Sequence, residues 1–378
     1  MARRDVLVVG AGPAGSLAAR EIARLGGSVL LVDRAEFPRW KVCGACLSAG
    51  ALEVLESVGL GEIPGALRAE PLETLVLSAG KRRVRLPLHG ARAVSRSAFD
   101  RALLDAACES GVEFWSGARA QLGATDLEYR HVHVSRESER VEVRARVVLD
   151  ATGLGRGLTP ARGENGTVRA GSRIGLGAVL SDSTYPVAPG DLHMVVAPAG
   201  YVGLVRDESG DLNVAAAVDP SALHGTRPDR VITSILSSCG LEPPRGSVVS
   251  AWQGTPALTR SPAEVAGERL FRLGDASGYV EPFTGEGMCW AMSSAVAVAP
   301  LALAGADHWE ASLTAAWSAH HAAALRTARR LCRVLTPALR RPWLVQGALA
   351  TLQVVPGLAT PFVRRAARPP ETSLAYSA

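Results

Sequence analysis

Apolar positions near the N-terminus repeat at strand spacing, then at helix spacing, then at strand spacing again. Residues 5–9 and 29–32 are short apolar runs rich in valine. Between them, apolar side chains recur on one helical face, namely Ala14, Leu17, Ala18, Ile22 and Leu25. A glycine pair at 26–27 then ends the helix. The pattern predicts a β-α-β unit with two parallel strands.

Later segments predict helices at 49–58 and 97–110, a hairpin over 72–88, and strands at 129–134 and 141–149, the second returning to the parallel sheet. The pattern then changes to closely spaced β-runs at 174–180, 192–196, 201–205 and 212–218. Short turns between these runs favour an antiparallel sheet over further β-α-β units. A strand at 269–273, a helix at 287–303 and a helical tail from 309 complete the prediction.

A glycine fingerprint occupies the first strand-to-helix turn, in the run Gly10, Ala11, Gly12, Pro13, Ala14 and Gly15. The first glycine permits a tight turn, the second lets backbone approach a pyrophosphate, and the third lets the helix pack closely. The helix N-terminus then directs free N–H groups at the phosphates. Asp33, at the end of the second strand, is placed to accept hydrogen bonds from ribose hydroxyls, and Arg34 follows it. The segment predicts a dinucleotide site.

A second motif lies far along the chain. A strand runs into Gly274-Asp275, and the turn Glu281-Pro282-Phe283-Thr284-Gly285-Glu286-Gly287-Met288 precedes a helix. Together the two motifs resemble the flavoprotein group of geranylgeranyl reductases, p-hydroxybenzoate-hydroxylase-type monooxygenases and flavin-dependent halogenases. The resemblance implies FAD as cofactor, with Gly274 and Asp275 at the ribityl chain. It implies Gly285, Gly287 and Met288 at the pyrimidine edge of the flavin.

Arg96 matches the group's Arg-x-x-Phe-Asp pattern, which implies a position close to the cofactor; the alternative is a solvated arginine at a helix start. The fold that follows is α/β with α+β elements: a Rossmann-type FAD-binding parallel sheet, an inserted antiparallel sheet as a roof over the substrate, and a helical C-terminal segment. We expect the FAD domain at 1–70, 90–165 and 268–305, the substrate domain at 71–89 and 166–267, and a helical cap at 306–378.

The run Lys41-Val42-Cys43-Gly44-Ala45-Cys46 is similar to a Lys-x-Cys-Gly run of geranylgeranyl reductases, as is the turn at 281–287. The resemblance implies that Cys43 and Gly44 lie near the isoalloxazine, where Cys43 is a candidate catalytic group. The alternatives are a small residue that fits a tight site, or a redox pair with Cys46. The spacing of the histidines and cysteines predicts no metal site.

Two departures from the group's patterns limit the choice of substrate and reaction. Prenyl reductases carry Tyr-x-Trp-x-Phe-Pro, whereas residues 201–206 keep only Tyr201, a second candidate catalytic residue. The aspartate of aromatic monooxygenases in Ala-Asp-Gly is replaced by Thr152. The Trp-x-Trp-x-Ile-Pro run of halogenases is absent, which argues against halogenation.

We therefore expect hydride transfer from reduced flavin N5 to a carbon–carbon double bond of a hydrophobic prenyl, lipid or polyketide-like substrate. A nearby acid, Cys43 or Tyr201, would protonate the adjacent carbon. NAD(P)H, docking transiently, or an electron-donor protein would reduce the flavin. The alternatives are an FAD monooxygenase that hydroxylates or epoxidises an apolar substrate, and a flavin-binding electron carrier without its own substrate.

The composition changes this picture only in its details. A net charge of +5 is too small to indicate a nucleic-acid partner. The first residues contain no apolar signal-peptide core, which predicts a cytoplasmic location. The segment 343–363 is apolar and flanked by Arg340, Arg341, Arg364 and Arg365. Because Pro356 and Pro361 would break a spanning helix, we expect a cap over the core, with peripheral membrane contact as the alternative.

Overall fold

The computed structural model describes residues 2–359 except 138, 156, 159–165, 282, 284 and 325. Its helices are α1 Pro13–Arg24, α2 Ala49–Ser57, α3 Ile63–Ala66, α4 Arg96–Glu109, α5 Pro228–Ser237, α6 Gly287–Asp307, α7 Ala311–Ala324, α8 Arg326–Leu339 and α9 Pro342–Val354. Short 3-10 turns occupy Pro220–Leu223, Gly274–Ser277 and Pro356–Ala359.

The strands are β1 Ala2–Val9, β2 Val29–Val32, β3 Cys46–Leu47, β4 Glu70–Ala79, β5 Arg82–Ala93, β6 Glu113–Trp115, β7 Ala118–Thr125, β8 Arg130–Arg136, β9 Glu139–Asp150, β10 Thr167–Val168, β11 Ile174–Ser181, β12 Asp191–Ala197, β13 Gly200–Arg206, β14 Leu212–Val218, β15 Ser247–Ala257, β16 Arg260–Ser261, β17 Ala266–Gly267 and β18 Leu270–Arg272.

The first sheet has the order β17-β18-β9-β1-β2-β6, with β7 and β8 attached through an antiparallel pair between β8 and β9. Its centre is parallel, because β1 pairs in parallel with both β2 and β9. Val6, Leu7 and Val8 are fully buried, since α1 covers one face and the β7–β8 hairpin covers the other. The predicted β-α-β unit and the return of the later strand to this sheet are confirmed.

Helix α1 packs between α6 and α4 and buries Leu17 and Ile22 completely. Helix α6 is apolar on all sides because it lies inside the protein, against α1, α2 and the first sheet. Among the described residues, α6 alone has the length and apolar composition that a membrane span requires, and 56% of that stretch is buried.

The second sheet, which we call the roof sheet, has the order β15-β11-β14-β13-β12-β4-β5-β3. Side chains on its outer face pack under α5, whereas alternate residues such as Tyr201 and Met194 face the interior. The predicted antiparallel sheet is confirmed except in one place, where β12 and β4 pair in parallel. These strands come from separate segments of the chain, so no hairpin sets their direction.

Helix α9 packs on β4 and β5 at the inner face of the roof sheet, and α8 packs against α9. The predicted apolar segment 343–363 is interrupted as expected, because α9 ends at Val354 and a 3-10 turn begins at Pro356. The remainder of that segment and of the predicted cap, residues 360–378 including Pro361, Arg364 and Arg365, lies outside the described residues. The domain boundaries stay a prediction.

Candidate functional site

The turn between β1 and α1 depends on glycine at two positions. Gly10 has φ +104°, and a Cβ there would lie 2.4 Å from Ala151 O. A Cβ at Gly15 would lie 1.7 Å from Gly10 O, so only glycine lets α1 pack against the turn. Gly15 does not line the cavity described below; it supports the turn from behind.

The exposed side of the same turn faces a large cavity. Gly10, Gly12, Pro13 and Ala14 line it. A Cβ at Gly12 would find only Arg39 Nη2 within 4 Å, at 3.7 Å, so the backbone is open to a ligand. Helix α1 has no side-chain cap, and its first N–H groups are therefore free to bind an anion.

Asp33 lies at the carboxyl end of β2, and its carboxylate is 8% exposed. Its Oδ2 accepts the Ala11 N–H at 2.7 Å, and its Oδ1 accepts the Ala35 N–H at 2.8 Å. Each oxygen retains a lone pair, so the carboxylate can fix the turn and still accept a ribose hydroxyl. Arg34, the next predicted residue, is exposed and lines the same cavity.

Arg39, which the sequence analysis missed, lines the cavity close to the glycine turn. Its Nη1 lies 3.0 Å from Asp100 Oδ2, and its guanidinium lies 4.8 Å from the centroid of the Phe37 ring. A cation held by an ion pair beside the α1 N-terminus can help to neutralise a diphosphate bound there. In the sequence, only its position just before the Lys41–Cys46 run indicates that Arg39 lies near the cofactor site.

Asp275 lines the cavity near the far end of β18, in the turn that Gly274 begins. Gly274 itself does not line the cavity; it has φ +57° and packs against Ala14. Burial raises the pKa of the Asp275 carboxyl, and the positive charges of Lys41 and Arg96 oppose that shift. Burial, with Arg96 nearby, lowers the pKa of the Lys41 amine. The carboxyl and both cations therefore lie close enough to influence one another's charge.

Arg96 is buried at the start of α4 and lines the cavity. Its guanidinium makes a bidentate pair with Asp100, with Nε to Oδ1 at 2.8 Å and Nη2 to Oδ2 at 2.7 Å. The alternative of a solvated arginine is wrong, because Asp100 one helical turn later draws the side chain inward. The pairing fixes the positive charge beside Cys43.

The loop that carries Cys43 and Gly44 follows α1 and β2 and lines the cavity. Asn213 of β14, a buried residue that the sequence analysis missed, donates from Nδ2 to Cys43 O at 2.9 Å. This bond ties the loop to the roof sheet. Cys46 donates its thiol to Gly44 O, and burial raises the pKa of that thiol to about 12. Cys46 therefore stays protonated, which disfavours a working dithiol.

The start of α6 closes this end of the cavity. Gly285, Gly287 and Met288, the candidates from the second motif, line it. Two residues of that motif, Pro282 and Thr284, lie outside the described residues. Phe283 is described, lines the cavity and packs its ring edge against Tyr201 with centroids 5.1 Å apart.

Beyond the motifs, the same cavity continues into an apolar space, which we call the gallery. The roof sheet contributes Leu75, Leu77, Leu86, Leu192 and Met194, and the helices contribute Leu339, Val345, Leu349 and Leu352. The whole cavity has a volume of about 2170 Å³. Ligand pockets commonly hold roughly 300–1000 Å³, so this one has room for a dinucleotide and a second molecule.

Tyr201 faces the cavity from β13, with charged residues behind it. The Arg173 guanidinium lies 5.5 Å from its ring centroid, and Arg173 Nη1 donates to Glu281 Oε1 at 3.2 Å. Burial, together with the charge of Glu281, raises the pKa of Tyr201 well above its usual value. Burial also raises the pKa of Glu281, and Arg173 opposes that shift. The sequence analysis missed Arg173 and Glu281 as a pair.

The arrangement fits FAD. A carboxylate placed for a ribose, an open phosphate cradle and the half-buried carboxyl of Asp275 line one cavity. Within the described ranges, no three histidine, cysteine, aspartate or glutamate side chains cluster as metal ligands would.

Comparison with known proteins agrees with this class of site. Residues 3–306 match the family described as FAD binding domain. The chain therefore belongs to this FAD-dependent oxidoreductase family, and FAD is its cofactor.

Three relatives illustrate the range of the family. The chain is 29% identical to a menaquinone reductase of Mycolicibacterium smegmatis over 88% of this chain and 85% of that protein. It is 30% identical to digeranylgeranylglycerophospholipid reductase 2 of Methanopyrus kandleri over 75% of this chain and 73% of that protein. It is 32% identical to a 1H-pyrrole-2-carbonyl-(peptidyl-carrier protein) brominase of Pseudoalteromonas luteoviolacea, over only 39% and 37%.

Solved structures share the fold. The flavin-dependent brominase Bmp2 superposes with a TM-score of 0.79 at 18% identity, covering 97% of this chain and 93% of that one. The flavin-dependent halogenase CmlS superposes with a TM-score of 0.77 at 21% identity, covering 100% and 75%. At such identities the likeness establishes the Rossmann-type flavoenzyme fold and not the reaction.

Proposed function

We propose that the protein is an FAD-dependent reductase that saturates a carbon–carbon double bond of a hydrophobic prenyl, lipid or polyketide-like substrate. The observation that carries this proposal is the continuity of the cofactor cavity with the gallery, whose leucines suit an apolar chain. The long matches to reductases, against a match of 39% of the chain to the brominase, support the same choice.

Reduced FAD supplies hydride at its N5 atom, and the protein must then supply a proton to the neighbouring carbon. Tyr201 is a candidate for that role because its side chain faces the cavity; its raised pKa keeps the hydroxyl protonated but also makes it a weaker acid. Glu281 lies behind it and is paired with Arg173, which opposes the upward shift that burial gives the pKa of Glu281. Cys43, on the loop beside Arg96, is the other candidate acid.

Single-turnover kinetics distinguish the two candidate acids, Tyr201 and Cys43. Tyr201→Phe should slow substrate-driven oxidation of the reduced flavin by roughly 10²–10⁴-fold, the usual contribution of a general acid, and leave FAD affinity unchanged. Tyr185→Phe is the matched control, because Tyr185 is buried against the outer face of the roof sheet. A full effect in Cys43→Ser with none in Tyr201→Phe would transfer the role to Cys43.

Oxygen dependence tests the reaction type. The protein, reduced without oxygen by NAD(P)H or by a chemical donor, should be reoxidised by apolar enones or prenyl substrates in an anaerobic cuvette. Product formation that consumes one oxygen per turnover would indicate the monooxygenase instead, and an added requirement for halide would indicate a halogenase. Reoxidation only by a partner protein would indicate an electron carrier. Mixing the oxidised protein with NAD(P)H or with an electron-donor protein, and recording which of them reduces the flavin, identifies the electron donor.

A further inference from the structure

Helix α9 and the turn after it carry apolar side chains on the outward side as well as on the side that faces the gallery. No charged residue occurs from Pro342 to Ala359. The two amides of α9 point towards the protein: Gln353 Nε2 donates to Arg83 O at 3.0 Å, and Gln353 Oε1 accepts from Arg82 Nη1 at 3.1 Å. Gln346 covers Gly80, where a Cβ would lie 2.8 Å from its Nε2.

The outward side carries large apolar groups. Trp343 is 70% exposed, Val354 is 81% exposed, and Leu358 in the following turn is 59% exposed. Between them on the helix surface lie Gly347 and Thr351, which add no charge. A surface helix of a soluble protein normally directs such residues to the core. An apolar outer face of this kind indicates contact with another apolar phase.

Basic side chains border this face on two sides. Lys81 and Arg82 are exposed in the β4–β5 turn, next to the position where Gln346 and Gln353 contact the hairpin. Arg341 is exposed at the N-terminus of α9. Cations that border an apolar patch complement a surface of anionic headgroups over acyl chains.

We propose that the outer face of α9, with Leu358, docks on an anionic lipid bilayer. The 13 residues of α9 extend about 20 Å, short of the roughly 30 Å of a bilayer core, so the helix lies in the interface and does not span it. Leu358 is exposed and also lines the gallery. The docked face therefore lies at an apolar entrance through which a lipid-soluble molecule passes into the cavity. The docking does not depend on the reaction proposed above.

Flotation of the full FAD-loaded chain tests this docking without any turnover. We expect the chain to float with vesicles of equal parts phosphatidylcholine and phosphatidylglycerol, and at least about tenfold less with pure phosphatidylcholine or at high salt. The triple variant Trp343→Ser, Val354→Ser, Leu358→Ser should lower the vesicle partition coefficient by about 100-fold, since three inserted side chains return to water.

The chain offers a matched control on β15. Val248 and Val249 are 59% and 56% exposed, far from the basic border, so Val248→Ser with Val249→Ser should float like the unmodified chain. Three results would overturn the proposal. The unmodified chain could stay unbound at low salt, or the triple variant could float equally well. A dimer that the triple variant dissociates, with no flotation of either, would make the face a contact between two copies.

Discussion

Substitution of Asp33 by asparagine separates a structural from a cofactor-binding role for this carboxylate. The Oδ2 and Oδ1 atoms accept N–H groups of Ala11 and Ala35 at 2.7 and 2.8 Å. An amide can accept only one of the two, because its nitrogen is a donor. The bond lost inside the protein should lower the free energy of unfolding by about 1–3 kcal/mol. In the FAD complex the substitution also weakens the hydrogen bond between the ribose hydroxyl and the charged Asp33 oxygen. That second loss of free energy is comparable and appears only when FAD is bound.

The second loss is measurable as affinity. A hydrogen bond to a charged group is worth about 1.5–3 kcal/mol, so Asp33→Asn should weaken FAD binding by about 10- to 150-fold. Apoprotein titrated with FAD, followed by quenching of flavin fluorescence, gives the dissociation constant. Urea unfolding of the same apoprotein gives the structural cost separately.

Asp5 supplies the control on the same sheet. Its Oδ2 accepts the N–H and the hydroxyl of Ser28, at 2.9 and 2.7 Å, in the middle of β1 and outside the cavity lining. Asp5→Asn should change stability and leave FAD affinity unaltered. If Asp33→Asn destabilised the apoprotein but bound FAD as tightly as the unmodified chain, Asp33 would only brace the turn and the reasoning would be refuted.

Three further substitutions test other parts of the structure. Asn213→Ala removes the hydrogen bond to the Cys43 carbonyl and should lower the free energy of unfolding by about 1–3 kcal/mol in urea titrations. An unchanged free energy of unfolding would show that this bond does not stabilise the loop. Leu349→Ala should weaken the packing of α9 by roughly 2–5 kcal/mol, seen as faster amide hydrogen exchange confined to that helix. The pKa of His131 is raised chiefly by its bond to Asp126, so that stabilisation is present below the unfolded pKa and is lost as pH rises through the higher folded pKa. Unfolding of His131→Gln in urea should therefore lack this pH dependence, and an unchanged profile would contradict the assignment.

Local patterns were enough to predict the parts of the fold that local contacts determine. The β-α-β unit and the runs that became β11 to β14 were found because their burial alternates or is continuous over short stretches. β15 was missed, because its side chains are mostly exposed or half-buried and leave no clear alternation. The amphipathic helix α5 was also missed, since only ten residues carry its pattern.

The residues of the candidate site likewise fall into two groups, those that a local motif predicts and those that meet only in the folded chain. Gly10, Asp33 and Asp275 were found because each belongs to a contiguous motif with fixed spacing. Arg173 and Glu281 lie 108 positions apart and meet only when the roof sheet closes over the α6 turn. No spacing rule anticipates such a pair. The parallel pairing of β12 with β4 could not be predicted from the sequence for the same reason.

A crystal structure of the protein with FAD tests the central claim most directly. The account predicts the diphosphate at the N-terminus of α1, within hydrogen-bonding distance of the Ala14 N–H, and a ribityl hydroxyl at the Asp275 carboxyl. FAD bound with its diphosphate away from the glycine turn, or with its ribityl chain away from Asp275, would contradict it.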